Sequence, residues 1–230
     1  MSGYTDIVMA YSWSMLKQDA NYPRIGACLE REILETALDC GEKLERRIRK
    51  DRGKISAAEL CDELRITVRQ AELTYPGKLI RAVYTREPRE IKINSLCVPV
   101  LADKIRQLSQ PDGQSGAQTH LQRYAACGKE AAGSFEVLAT ELILAHEIFH
   151  DYERREPALN PQLDARLTWG RWFKRRIRVR SLSEIAAHRF AQVFTGLQFF
   201  PGRLDIFKDE GEVLAEYNAA KTAAKSGISS

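Results

Sequence analysis

No run of apolar residues in this chain is long enough to span a bilayer, and the opening MSGYTDIVMAYSWSMLKQD has no basic leader ahead of an apolar stretch. A membrane-spanning or exported protein is therefore not expected, and a cytosolic location is. Cysteine is scarce: Cys28, Cys40, Cys61, Cys97 and Cys127 are odd in number, scattered, and form no C-x-x-C pair. This argues against both a disulfide framework and a thiolate zinc site, so the thiols read as reduced packing residues. Charge is nearly balanced. A net charge of +4 with 29% charged residues neither demands nor excludes a nucleic-acid partner. The chain contains no internal repeat, and its weakly structured stretches are PDGQSGAQ (111–118) and the end, KSGISS.

What remains is an ordinary globular composition, 44% hydrophobic over 230 residues, enough for one domain with a sizeable core. Leu29, Ile33, Ala37, Cys40, Leu44 and Ile48 recur at helical spacing and predict a long amphipathic helix from about Ala27 to Ile48. Ser56 and Glu59 form a capping box that opens a short helix ending near Arg65. Between Gly77 and Asn94 the apolar residues alternate, which predicts two strands joined through Arg86, Glu87 and Pro88. Helical spacing returns in VPVLADKIRQLSQ and again from about Ser134 to Glu153, where Pro157 and Pro161 lie just beyond. A basic segment, Gly170 to Arg180, leads into a helix from Ser183 to Phe199 that Pro201 and Gly202 should end, and a last helix is expected over Asp209 to Ala224. The fold class expected is α+β, mostly helical with one small sheet. Residues 1–205 form the main unit and 206–230 a C-terminal helix and tail.

Within the Ser134–Glu153 helix lies LILAHEIFHDYE, in which His146, Glu147 and His150 spell H-E-x-x-H. Four residues of helix turn the chain by about 40° beyond a full circle, so both imidazoles share one face and can reach one ion. Glu147, about 100° around from His146, cannot comfortably join them as a ligand but can reach a water on the ion's open side as general base. The apolar neighbours Leu142, Ile143, Leu144, Ala145, Ile148 and Phe149 make two unpaired imidazoles costly, which favours a metal over chance. Zinc suits neutral imidazoles and brings the pKa of its water to about 7.

A catalytic zinc needs a third protein ligand and an open position. The metzincin pattern needs glycine three residues after His150 and histidine three after that, but Glu153 and Glu156 stand there. Downstream, Glu184 and His188 lie four apart in SLSEIAAHRFAQVFTGL. Glu184 is the preferred ligand, completing a His, His, Glu set on a zincin-like domain. Two alternatives stay open: Ser181 to Glu184 is also a capping box, and His188 is either the ligand or a nearby supporting or transition-state donor. Tyr152, His188 and the arginines between 171 and 180 are candidate oxyanion donors.

The order of these motifs, from SAAELCDELRITV through YTREPREIKIN to LAHEIFHDYE and EIAAHRFAQ, resembles the ImmA/IrrE metallo-endopeptidases over roughly Ser56 to Leu197. The resemblance implies a gluzincin site with His146 and His150 as zinc histidines, Glu147 as base and Glu184 as the downstream acid. It also implies hydrolysis of a peptide bond in a regulatory protein such as a transcriptional repressor. A competing expectation is a non-proteolytic DNA- or protein-binding regulator in which zinc staples two helices and RWFKRRIRVR, Arg171 to Arg180, contacts phosphates. Glu147 separates the two, because a closed structural site has no use for a general base.

Overall fold

The computed structural model describes residues 2–25, 27–74, 80–109, 131–156, 159, 164–169, 173–206 and 208–226. The PDGQSGAQ loop, the start of the first expected strand at 77–79, Pro157 and Pro161, residues 170–172 and the last four residues lie outside them. The architecture is α+β and mostly helical. Seven α-helices are described: α1 (Ser2–Lys17), α2 (Ala27–Arg52), α3 (Ala57–Glu63), α4 (Cys97–Ser109), α5 (Ala131–Arg155), α6 (Arg180–Thr195) and α7 (Glu210–Ser226). None of the described helices is long and apolar enough to cross a membrane.

Three strands form the main sheet in the order β1 (Thr67–Ala71), β3 (Glu90–Asn94), β2 (Ala82–Thr85). β1 runs parallel to β3, pairing Thr67 with Glu90, and β2 runs antiparallel, pairing Tyr84 with Ile91. The alternation across 77–94 thus predicted β2 and β3, whereas β1 is an addition. Its residues are almost all exposed, so it carries no buried period to read. A second correction concerns the basic segment: Phe173–Arg178 is a strand, β5, paired antiparallel with β4 (Asp164–Trp169) as a separate two-stranded ribbon. Buried Asn94 knits the main sheet to its flanks. Its amide donates to the carbonyls of Leu73 at 2.9 Å and Ile80 at 2.8 Å.

The short helix α3 opens on the expected capping box, with Ser56 Oγ accepting from the Glu59 amide at 3.1 Å and Glu59 accepting from the Ser56 amide at 2.9 Å. Glu141, from α5, adds an accepting carboxylate for the Ala57 amide at 2.6 Å, satisfying a first-turn donor and favouring the positive end of the helix. The α6 helix starts earlier and ends earlier than the sequence suggested. Gly196, at φ 73°, takes the left-handed position that stops it before Pro201 is reached.

The helix α6 is held by α2 and α5. From α2, the stripe Leu34, Ala37, Cys40, Leu44 and Ile48 is buried, and Gly41 lies within it. A Cβ on Gly41 would lie 2.8 Å from the Phe190 amide nitrogen and closer still to the Ala186 carbonyl oxygen. Because both obstacles are backbone, Gly41→Ala must push the helices apart. We expect it to cost about 3 kcal/mol, the upper end for overpacking, read as a drop in the denaturation midpoint at unchanged slope. Arg49 adds a clasp by donating to the Phe194 carbonyl at 2.6 Å, near the end of α6. On the other side, Phe149 of α5 meets Phe190 of α6 at 6.0 Å between ring centroids.

Rotation of α5 about its axis is fixed by buried Asp151. Its carboxylate accepts from the Tyr84 hydroxyl at 2.6 Å and from Arg89 at 2.9 Å, and it is ion-paired with Arg155 at 2.7 Å. These bonds tie the residue next to His150 to the sheet and so set the direction of the histidine face. The C-terminal helix α7 returns to α1, with Trp13 and Tyr217 edge to face at 5.8 Å.

Candidate metal centre

One turn apart on α5, His146 and His150 turn their Nε2 atoms toward each other at 3.2 Å. Glu184, from the first half of α6, completes the group. Its Oε2 lies 3.2 Å from His146 Nε2 and its Oε1 lies 3.5 Å from His150 Nε2. One ligand atom from each of the three residues lies within 4.8 Å of the other two, close enough for a single ion to engage all three. Among the described residues this is the group of histidine, cysteine and carboxylate donors placed to hold a metal. Two imidazoles and one carboxylate are donors that zinc accepts, and they leave a fourth position open.

The helix boundary bears on the capping alternative for Glu184. Because α6 begins at Arg180 with Val179 as its N-cap, and no side chain caps it, Ser181 and Glu184 both lie inside the helix. Glu184 therefore does not cap it. Burial opposes its ionisation, but hydrogen bonds and charge from His146 and His150 outweigh that and hold its carboxyl well below the usual range. The reciprocal effect appears at His150. Burial disfavours the imidazolium, yet Glu153 and Glu184 as hydrogen-bond partners raise its pKa to about 10.

Glu153 is a site residue that sequence reasoning passed over. Its Oε2 stands 3.3 Å from His150 Nδ1 and accepts the Ser183 hydroxyl at 2.7 Å. A carboxylate on the far nitrogen of a ligating imidazole fixes the ring and its tautomer, leaving Nε2 for the metal. The signal was the i, i+3 spacing from His150, which puts both groups on one helix face.

His188 lines the same cleft but does not join the donor group. Its ring packs on His146 at 4.8 Å, and its Nε2 meets Asp205 Oδ2 at 3.2 Å. Asp205 is in turn paired with Arg81 at 2.7 Å. Burial lowers the His188 pKa against the opposing pull of Asp205. Tyr152 is not at the site. Six residues beyond His146 it lies about 240° around the helix, and its ring is sandwiched by Arg47 and Arg155, away from the cleft.

Glu147 lines both of two cavities that adjoin the group. The larger, about 790 Å³, has Met15, Leu101, Leu142 and Ile143 in its wall together with Ala82 of β2. The smaller, about 530 Å³, includes His150, Glu153 and Ser183. His146, Glu147 and Glu184 border both, so the donor group sits at the waist of a continuous cleft. One wall is a strap after α1: Asp19 accepts from the Ser181 amide at 2.9 Å, and Asn21 donates to the Arg178 carbonyl at 3.1 Å. Compared with protein-family models, curated proteins and solved structures, the chain matches none.

Proposed function

We propose that this chain is a zinc-dependent metallo-endopeptidase that cleaves a regulatory protein, with His146, His150 and Glu184 holding the ion and Glu147 acting as general base. The observation that carries this reading is the convergence of three metal donors within 4.8 Å of one another beside a carboxylate that lines an open cleft. Zinc in that position supplies a Lewis acid that polarises a carbonyl and makes water a nucleophile near neutral pH. Glu147 accepts the proton of the attacking water and can return it to the leaving amine. Glu153 and Ser183 keep His150 turned toward the donor group, and His188, braced by Asp205, packs against His146.

A polypeptide substrate suits the cleft better than a compact molecule. β2 is an edge strand of its sheet and Ala82 borders the larger cavity, so an extended chain can lie beside it and pass the donor group. The apolar wall beyond offers a place for one hydrophobic side chain. The regulatory nature of the target is what the likeness to the ImmA/IrrE peptidases implies.

Purified protein should hold about one zinc per chain, and chelation should abolish peptide cleavage that added zinc restores. Elemental analysis of reconstituted protein checks this directly. Absence of bound metal after reconstitution would end the reading.

A further inference from the structure

Two arginines at the waist of the cleft take no part in the hydrolysis outlined above. Arg178 and Arg180 border both cavities, beside His146, Glu147 and Glu184, and both are exposed. Arg178 is ion-paired with Glu153, whose Oε1 lies 3.6 Å from its guanidinium, longer than a hydrogen bond. Arg180 makes no side-chain hydrogen bond or ion pair among the described residues. Two further arginines border the cleft: Arg81, paired with Asp205 at 2.7 Å, and Arg154, over the Tyr84 ring at 4.9 Å. The backbone beneath the pair is held by the Asn21 and Asp19 bonds to 178 and 181, so the cations project from a fixed base.

The ribbon of β4 and β5 leads to them, its register pairing Asp164 with Arg178 at the end nearest α6.

We propose that Arg178 and Arg180 receive an acidic segment of the polypeptide substrate and set a preference for aspartate or glutamate near the scissile bond. The inference rests on the endopeptidase reading and supplies its substrate class. Carboxylate side chains match guanidinium groups in charge and in paired hydrogen-bond geometry. The two cations stand beside the donor group in a cleft that an extended chain can enter and a rigid duplex cannot, which favours a polypeptide over a nucleic acid.

The test compares two labelled peptides of one sequence, the first with glutamates flanking the scissile bond and the second with glutamines there. For the zinc-loaded protein, kcat/KM should be about tenfold higher for the glutamate peptide, with the difference in KM and shrinking as salt is raised. In an Arg178→Gln, Arg180→Gln double variant the ratio should approach one. Arg180→Gln alone, which leaves Glu153 untouched, should remove about half of the logarithmic preference. Equal cleavage of both peptides by the wild type, or an unchanged ratio in the double variant, overturns the inference. Fluorescence anisotropy of the same peptides supplies a readout without turnover. Acid-selective binding that the double variant loses, by a wild-type protein that cleaves neither peptide, would sink the endopeptidase reading and leave the acidic-partner surface standing. Equal binding of the two peptides overturns the inference. So does duplex DNA that binds more tightly than the glutamate peptide and loses that affinity in the Arg178→Gln, Arg180→Gln variant.

Discussion

Replacing Glu147 by glutamine should lower kcat by at least about 10²–10⁴-fold while zinc content and melting temperature stay at wild-type values. The amide has the same shape but cannot take a proton from water, so only the proton-transfer step is lost. Glu147 is not one of the converging donors, and it borders the cleft on both sides of them, which is why its removal should spare the metal. Turnover and metal content measured on the same preparation separate this result from a loss of zinc. A variant that cleaves as fast as the wild type would remove Glu147 as the base.

Glu184→Gln should act in the opposite order, on metal first and activity second. A neutral amide oxygen replaces an anionic donor, so zinc affinity should fall steeply and thermal stability should depend sharply on added zinc. The helix itself should barely notice, since Glu184 caps nothing. His188→Gln and Glu153→Gln provide the comparison. Each acts through a ligand imidazole and should cost about 10- to 100-fold in affinity or activity. Competition titrations with a chelator rank the three variants. Wild-type affinity in Glu184→Gln, or a larger loss in His188→Gln than in Glu184→Gln, would reassign the third ligand.

The parts of this site that a sequence shows are those fixed by helix geometry. His146 and His150 are four apart on one helix, so local spacing suffices, and Glu184 is a carboxylate on the next motif-bearing helix. Glu153 obeys the same local rule but sits near the end of α5, where a charged residue reads as solvated. Its burial depends on Ser183 and His150 closing over it. Asp205 and the Asp19 strap are tertiary: their partners lie far along the chain, at His188 and Ser181, and no periodicity announces them. The same distinction runs through the fold. β2, β3 and the long helices carry buried stripes, whereas β1 is an exposed strand whose place depends on β3. β5 hid behind its charge, because a row of lysine and arginine looks like a connector until the register of β4 is known. Tyr152 was misplaced by chemistry outrunning geometry, since a phenol next to the motif is useful only on the face that the histidines occupy.

Gly41 bears on how variants of this protein are sorted. It sits on a helix that contributes no donor, yet its missing Cβ sets how near α2 comes to Ala186, two residues past Glu184. A mutational screen scored by loss of function would return position 41 beside 147 and 184, as though all three were chemical. Scoring each hit a second time by heat resistance splits them: the position 41 variants melt early with zinc present, the position 184 variants recover as zinc is supplied, and the position 147 variants stay folded and inert.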